Sequence, residues 1–165
     1  MNESTNVIDI SKIIETNRGI IYKVVNSYCS HINEQEDLMQ EIIFQIVKGY
    51  KNFDHNVKVT TWIYKVAFNV AISHYRKLKT RQKHMVPMPP KIVVIDERET
   101  NAYDERIPQL RTFINEFDAL HKAILIMYLD GNSHKEISSA MGISVSNVGT
   151  KINRIKTELK KKFKQ

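Results

Sequence analysis

The sequence predicts an all-α protein built as two small helical domains joined by a flexible linker, and three observations carry that expectation. All four prolines, Pro87, Pro89, Pro90 and Pro108, lie in one stretch of the 165 residues. Both flanks are free of proline and place apolar residues at spacings of three and four, the period of an amphipathic helix. A proline inside a helix costs roughly 3 kcal/mol, so such flanks read as helical. The one strongly β-branched run, KIVVID at 91–96, has no second strand to pair with and is expected to be extended chain. The division is therefore residues 1–81, a linker at 82–108, and residues 109–165.

In the first domain, Ile10, Ile13, Ile14, Ile21, Val24, Val25, Tyr28 and Ile32 form one apolar helical face, with Gly19 as the expected interruption. Leu38, Ile42, Ile43, Ile46, Val47 and Tyr50 repeat the pattern. Glu34, Glu36 and Asp37 stand at its start, where acidic side chains complement a helix N-terminus. A polar loop, FDHNVKVTT, leads into a third helix over about residues 60–79. Its inward side is Ile63, Val66, Ala67, Val70, Ala71, His74 and Leu78.

The second domain opens with helices near residues 110–116 and 118–129, the latter stopped by Gly131. Ser133 with Glu136 three residues on is a capping box for a short helix through Met141. Gly142 makes a turn, Ser144 caps the last helix, and Val148, Ile152, Ile155 and Leu159 run down its buried face. Ile137, Met141, Ile143 and Val148 supply apolar packing, and Ser138 is small where the two helices cross. Short helix, glycine turn and longer basic helix together make a helix-turn-helix.

Charge separates the regions further. The net charge is +7, but residues 1–95 carry 13 Lys/Arg against 8 Asp/Glu, residues 96–118 carry 3 against 7, and residues 119–165 carry 9 against 3. No carboxylate lies between Asp54 and Asp96. Two basic zones flanking an acidic one point to two contacts with a polyanion. The acidic linker is expected to act as a tether that repels DNA. A single cysteine, Cys29, excludes an internal disulfide framework and a cysteine-rich zinc site, which fits a reducing compartment. No apolar run approaches the roughly 18 residues that span a bilayer, and the first residues lack a signal-peptide pattern, so a cytoplasmic location is expected.

Two stripes carry candidate function. On the last helix Asn147, Thr150, Lys151 and Arg154 face outward, residue types that bond adenine or guanine edges in the major groove. Gly149 is out of place mid-helix. On the third helix Trp62, Lys65, Asn69, Ser73 and Arg76 line the side opposite the apolar face. A lone tryptophan more often packs into a core, but beside Lys65 and Asn69 it is a candidate platform for an unstacked base.

The strings EDLMQEIIFQIVKGYKNFD, TTWIYKVAFNVAISHYRK and FDALHKAILIMYLDGNSHKEISSAMGISVSNVGTKINRIKTEL resemble the extracytoplasmic-function group of bacterial sigma factors. The resemblance covers about residues 10–81 and 108–163. It implies two helical domains, regions 2 and 4, and a function in binding core RNA polymerase and directing it to promoters. The DLxQE motif falls on Asp37, Gln40 and Glu41, the surface that docks on the clamp helices of the largest polymerase subunit. The TW-Y-AxN pattern falls on Thr61, Trp62, Tyr64, Ala67 and Asn69, where the family melts and reads the minus-10 element. Lys58, Lys65 and Arg76 join that set, and the loop at 54–61 would pocket a flipped base. Ser146, Asn147, Thr150, Lys151 and Arg154 are the expected minus-35 contacts, with Gly149 replacing a commonly basic residue. Two more departures are Phe68, where a basic residue usually precedes the asparagine, and Ser73, where an acid is usual.

The resemblance implies promoter DNA, duplex and melted, as the second partner; many members also have an anti-sigma factor. It implies no membrane insertion. No cofactor, metal or catalytic residue is expected: there is no Gly-rich phosphate loop, CxxC or HExxH, and the six histidines show no ligand-like pairing. The competing reading is a self-sufficient helix-turn-helix repressor or activator, which leaves the Trp62 stripe and the acidic motif without a role.

Overall fold

Eight helices make up the described part of the chain, residues 3–84 and 106–163 of a computed structural model. They are α1 Glu3–Thr16, α2 Arg18–Tyr28, α3 Ile32–Tyr50, α4 Val59–His84, α5 Arg106–Glu116, α6 Ala119–Leu129, α7 His134–Met141 and α8 Val145–Lys162. The KIVVID segment and the centre of the linker lie outside the described residues. Helical order enters both ends of the expected linker. Pro108 falls in the first turn of α5, where its missing N–H has no helical partner to lose.

The break in the N-terminal region is at Asn17, not at Gly19. The Asn17 side-chain amide donates to the Ile13 carbonyl at 2.8 Å and its backbone N–H to the same oxygen at 3.1 Å, which closes α1 from within. Gly19 sits in the first turn of α2 with open space around it.

Ile21, Val24 and Val25 of α2, Leu38, Ile42 and Ile46 of α3, and Ile63, Ala67 and Ala71 of α4 are buried together as the periodicity requires. The buried arc of α4 is wider than that face, because Tyr64 and Phe68 are buried as well. Phe68 stacks on Tyr64 with ring centroids 5.7 Å apart and meets Tyr28 edge-on at 6.2 Å. A position that is basic in the resembling family is here a core aromatic. His74 packs with its Nδ1 3.7 Å from the Sγ of buried Cys29. Burial pushes that thiol up to about 11.

In the second domain the local signals are all realised. Asp118 caps α6 by accepting from the Leu120 and His121 N–H groups, each at 3.0 Å. The Ser133–Glu136 capping box is closed in both directions. Gly142 takes the left-handed conformation, φ 66°, that a helix-ending turn requires. Ser138 donates to the Ile143 carbonyl at 2.6 Å, which fastens the turn, and Ser144 caps α8. At the far end Phe163 meets Phe113 edge-on at 5.2 Å and Lys162 pairs with Glu116, so α8 holds α5.

The two domains do not stand apart. α4 packs against α6 and α7 as well as against α2 and α3, and one apolar core runs through both domains. Polar contacts rim the seam. The Tyr28 hydroxyl donates to the Ala119 carbonyl at 2.5 Å. Asp130 accepts from both the Lys23 ammonium and the Tyr64 hydroxyl. Lys122 is only 7% exposed. Its Nζ donates to the Ser27 carbonyl at 3.0 Å and to Asn115 Oδ1 at 3.1 Å, and lies 5.3 Å from the Tyr28 ring centre. A buried ammonium without such partners costs several kcal/mol, so these contacts fix how the domains meet. Burial holds the Lys122 amine below its usual value. Burial, reinforced by the hydrogen bond to Asp130, raises the Tyr64 phenol.

Candidate nucleic-acid interface

The loop between α3 and α4 and the first turns of α4 build an aromatic-walled cavity. Asp54 accepts from the Asn56 backbone N–H at 3.1 Å and from its side-chain amide at 2.6 Å, a short Asx-type turn. The turn puts His55 in the left-handed region, φ 58°, which histidine tolerates better than most residues. It also folds Phe53 inward against Trp62, ring centroids 5.0 Å apart, with Tyr50 at 6.1 Å from Trp62 and His55 at 4.4 Å from Phe53. The cavity is about 300 Å³, and Asn52, Asn56, Thr61, Trp62 and Lys65 are among the residues lining it. Phe53 and Tyr50 were not among the expected site residues, while His55 lies in the loop expected to pocket a base. The signal for them was the aromatic spacing in YKNFDH, which reads equally well as a loop.

Trp62 is half-buried, while Lys65, Asn69, Ser73 and Arg76 are exposed along the same side of α4. The Thr61 hydroxyl is buried with no hydrogen-bond partner. Lys58 pairs with Glu136 of α7 at 2.7 Å. Asp37, Gln40 and Glu41 are exposed on α3, Gln45 donating to Glu41 at 2.8 Å, and Phe44 beside them is 58% exposed. A groove of about 700 Å³ between α3 and α4 has Asp37 and Glu41 on one wall and Trp62 and Asn69 on the other. Gly49 approaches Trp62 so closely that an added Cβ would meet its ring at 3.2 Å.

On α8, Ser146, Asn147, Thr150 and Arg154 are exposed, opposite the buried Val148, Ile152 and Ile155. The Thr150 hydroxyl donates to the Ser146 carbonyl at 3.1 Å, leaving its methyl outward. Lys151 departs from the stripe. It is half-buried, and its Nζ lies 3.5 Å from Nε2 of His121, whose other ring nitrogen bonds Asp118. Asn153, absent from the expected set, shares the exposed face. Gly149 has only the His134 ring near it, at 3.8 Å from an added Cβ, so nothing in the packing requires a glycine there. Gly149→Ala is expected to stabilise the protein by about 0.5–1 kcal/mol, read as a rise in the thermal midpoint. A fall would show that the backbone there is not ordinary helix.

Glu136 joins the two halves of this surface. Hydrogen bonds from Lys58 first, then from the Ser133 backbone and hydroxyl, hold its carboxyl down from 4.5 to about 2. A depressed carboxyl adds stability above its unfolded value that is lost as pH falls through the folded one. The stability difference between wild type and Glu136→Gln should therefore be full above pH 4.5 and shrink toward zero as pH falls to about 2. Urea midpoints across that range measure it, and a difference that does not vary with pH would discount the carboxylate.

Among the described residues no group of His, Cys, Asp and Glu is placed to hold a metal ion, and no helix is long and apolar enough to cross a membrane.

The model of sigma-70 region 2 matches residues 13–81, and that of sigma-70, region 4 matches residues 108–159. The chain is 25% identical over 169 residues to the ECF RNA polymerase sigma factor SigW of Bacillus subtilis (strain 168), covering 92% of this chain and 87% of that one. The chain belongs to the extracytoplasmic-function group of sigma factors. A second relative, the RNA polymerase sigma factor SigZ of the same organism, is 27% identical over 146 residues, 84% of this sigma factor and 80% of SigZ. The fold is that of the sigma factor RpoE from Bartonella quintana, solved in complex with the anti-sigma factor NepR. The TM-score is 0.70 at 14% identity, over 94% of this chain and 97% of that one. As a sigma factor the protein serves transcription initiation. The match over 13–81 accounts for the first domain, which the reading as a lone helix-turn-helix regulator leaves idle.

Proposed function

We propose that this sigma factor docks on core RNA polymerase through Asp37, Gln40 and Glu41, opens the minus-10 element on α4, and reads the minus-35 element with α8. Residues 1–81 and 109–165 act as the two DNA-contacting units, with 82–108 spanning between them in the cytoplasm. An anti-sigma factor belongs among the partners, since RpoE of the same fold is held by one. The single observation that carries the reading is the cavity walled by Phe53 and Trp62 beside Lys65. A flipped base stacks on an aromatic face whatever its identity, and polar groups at the rim read its edge. Lys58, Lys65 and Arg76 hold phosphates, while Thr61 and Asn69 offer hydrogen bonds to the base. On α8, Arg154 and Asn147 suit guanine and adenine edges, with Ser146, Thr150 and Lys151 completing the contact.

Run-off transcription with purified core polymerase on a promoter library tests the whole assignment. Glu41→Lys places a like charge where a carboxylate is expected to meet its partner. It should weaken core binding by about 30-fold or more, the effect of losing a hot spot of about 2 kcal/mol, with helical circular dichroism intact. Unchanged affinity removes α3 from the docking face.

A further inference from the structure

We infer that His121 of α6, itself oriented by Asp118, is a positioning residue for Lys151 and makes duplex binding by α8 depend on pH. While its ring is neutral it draws the lysine inward; when the ring takes up a proton it releases the ammonium to a DNA phosphate. The inference rests on the reading of α8 as the duplex contact given above. The two ring nitrogens face groups of opposite charge. Nδ1 bonds the Asp118 carboxylate, and Nε2 lies 3.5 Å from Lys151 Nζ. An ammonium has no lone pair to offer, so Nε2 is the acceptor and the ring proton sits on Nδ1, where the carboxylate holds it. One tautomer of the neutral imidazole is thereby selected.

Lys151 is the odd member of its stripe, half-buried where Ser146, Asn147, Thr150 and Arg154 are exposed. The contact with His121 accounts for the difference, and at 3.5 Å it is long for a hydrogen bond, a hold that gives way readily. Burial works against the Asp118 charge, but hydrogen bonds from the His121 backbone and ring prevail, and its carboxyl sits below the usual value. The carboxylate therefore stays charged and favours a proton on the ring, while the Lys151 ammonium opposes one. The helices α4 and α7 also pack on α6; of their charged groups Lys58 and Glu136 pair with each other, and His134 lies near Gly149 and the Tyr128 ring. A protonated His121 keeps its bond to Asp118, loses its acceptor at Nε2 and sets a second cation beside the ammonium. Rotation about the lysine's own side-chain bonds then carries Nζ to the face it shares with Arg154. Histidine is the side chain whose charge changes between about pH 8 and 5, so acidification across that range adds one phosphate contact.

The test uses the full chain and a short fluorescein-labelled duplex of mixed sequence, with binding read by anisotropy at low salt. His121→Leu removes the acceptor and should bind about twofold to fivefold more tightly than wild type near pH 8, the worth of one exposed ion pair. Its slope of log affinity against log salt should steepen by about 0.9, one phosphate contact more. Adding Lys151→Ala should cancel both gains. His121→Gln keeps an acceptor for the lysine but takes up no proton, so it should match wild type near pH 8 and fall behind it near pH 5. The other histidines act alike in every variant, so the difference between profiles is the measure. Should His121→Leu prove unfolded by circular dichroism, the His121→Gln profile carries the test. Folded His121 variants that follow wild type in affinity, profile and slope, while Arg154→Ala weakens binding, overturn the positioning role and keep α8 as the duplex contact. A gain in His121→Leu that survives Lys151→Ala overturns it as well. If Arg154→Ala changes nothing but Lys151→Ala still cancels the gain, the positioning role stands and Arg154 leaves the interface.

Discussion

Replacing Phe68 by alanine should lower the unfolding free energy by about 3–5 kcal/mol, the cost of emptying a fully buried aromatic site. Phe68 has no exposed surface and contacts the rings of Tyr64 and Tyr28. It therefore supports the helix that carries the cavity and the seam with the second domain at once. Against a total stability of about 5–15 kcal/mol, that loss leaves the chain marginal near body temperature. Urea denaturation followed by far-ultraviolet circular dichroism gives the number. Phe68→Lys, which restores the charge common in the family, should do more damage still, because an ammonium would be buried without a partner. A loss below about 1 kcal/mol for Phe68→Ala would mean that the ring is dispensable to the core.

Trp62→Ala should cost about 1–3 kcal/mol of affinity for the melted strand, a factor of roughly 5 to 150. Open-complex formation, followed by permanganate reactivity of unpaired thymines, should fall with it. Binding of duplex DNA upstream through α8 should hold. Trp62 also packs on Phe53 and Tyr50, so part of any effect could arise from a disturbed loop. Trp62→Phe separates the two: it keeps an aromatic face and should recover most of the lost opening. If Trp62→Ala opens promoters as well as wild type does, the cavity is not where the base goes.

Much of the second domain could be read before its structure, because its signals are local. Ser133 with Glu136, Gly142 and Ser144 act through their own neighbours, and each does in the fold what its residue type demands. The first domain's periodicity located α3 and α4 for the same reason, but it ran α1 and α2 together and counted as inward Ile32, which opens α3, and Val47, both of them exposed. Two misreadings came from side chains acting against a simple periodic scheme. Asn17 ends α1 with its own amide, which outweighs the backbone freedom of Gly19. Tyr64 and Phe68 lie beside the expected inward face of α4, outside the set read as buried, and are buried as well.

The packing of the domains on each other was the larger omission, and α6 held the clue. Residues 122–127, KAILIM, are buried without interruption, so the helix is covered all round. A helix in a small domain of three or four helices has one face in the core and one in water. An unbroken apolar run there calls for a cover from outside, and α4 provides it. Lys122 opens that run, and its amine is buried with it. Only the fold shows that its partners are the carbonyl of Ser27 and the ring of Tyr28, about a hundred residues away along the chain and so invisible to local pattern. At the candidate interface, the exposure of Lys65, Asn69 and Arg154 was legible from type and spacing. The half-burial of Lys151 against His121 depends on a helix crossing and was not.

The thiol enclosed at the end of α2 has a practical corollary. Cys29 is 3% exposed, and its proton is held up to about 11, while only a thiolate reacts at a useful rate. At neutral pH the folded chain should therefore give maleimides and disulfide reagents almost nothing to attack. A cysteine introduced at an exposed position on α3 and another on α8 would be the only sites to take a dye or spin label. Distance rulers between the two halves of the chain can thus be installed on the native background, with every original residue of the core left in place.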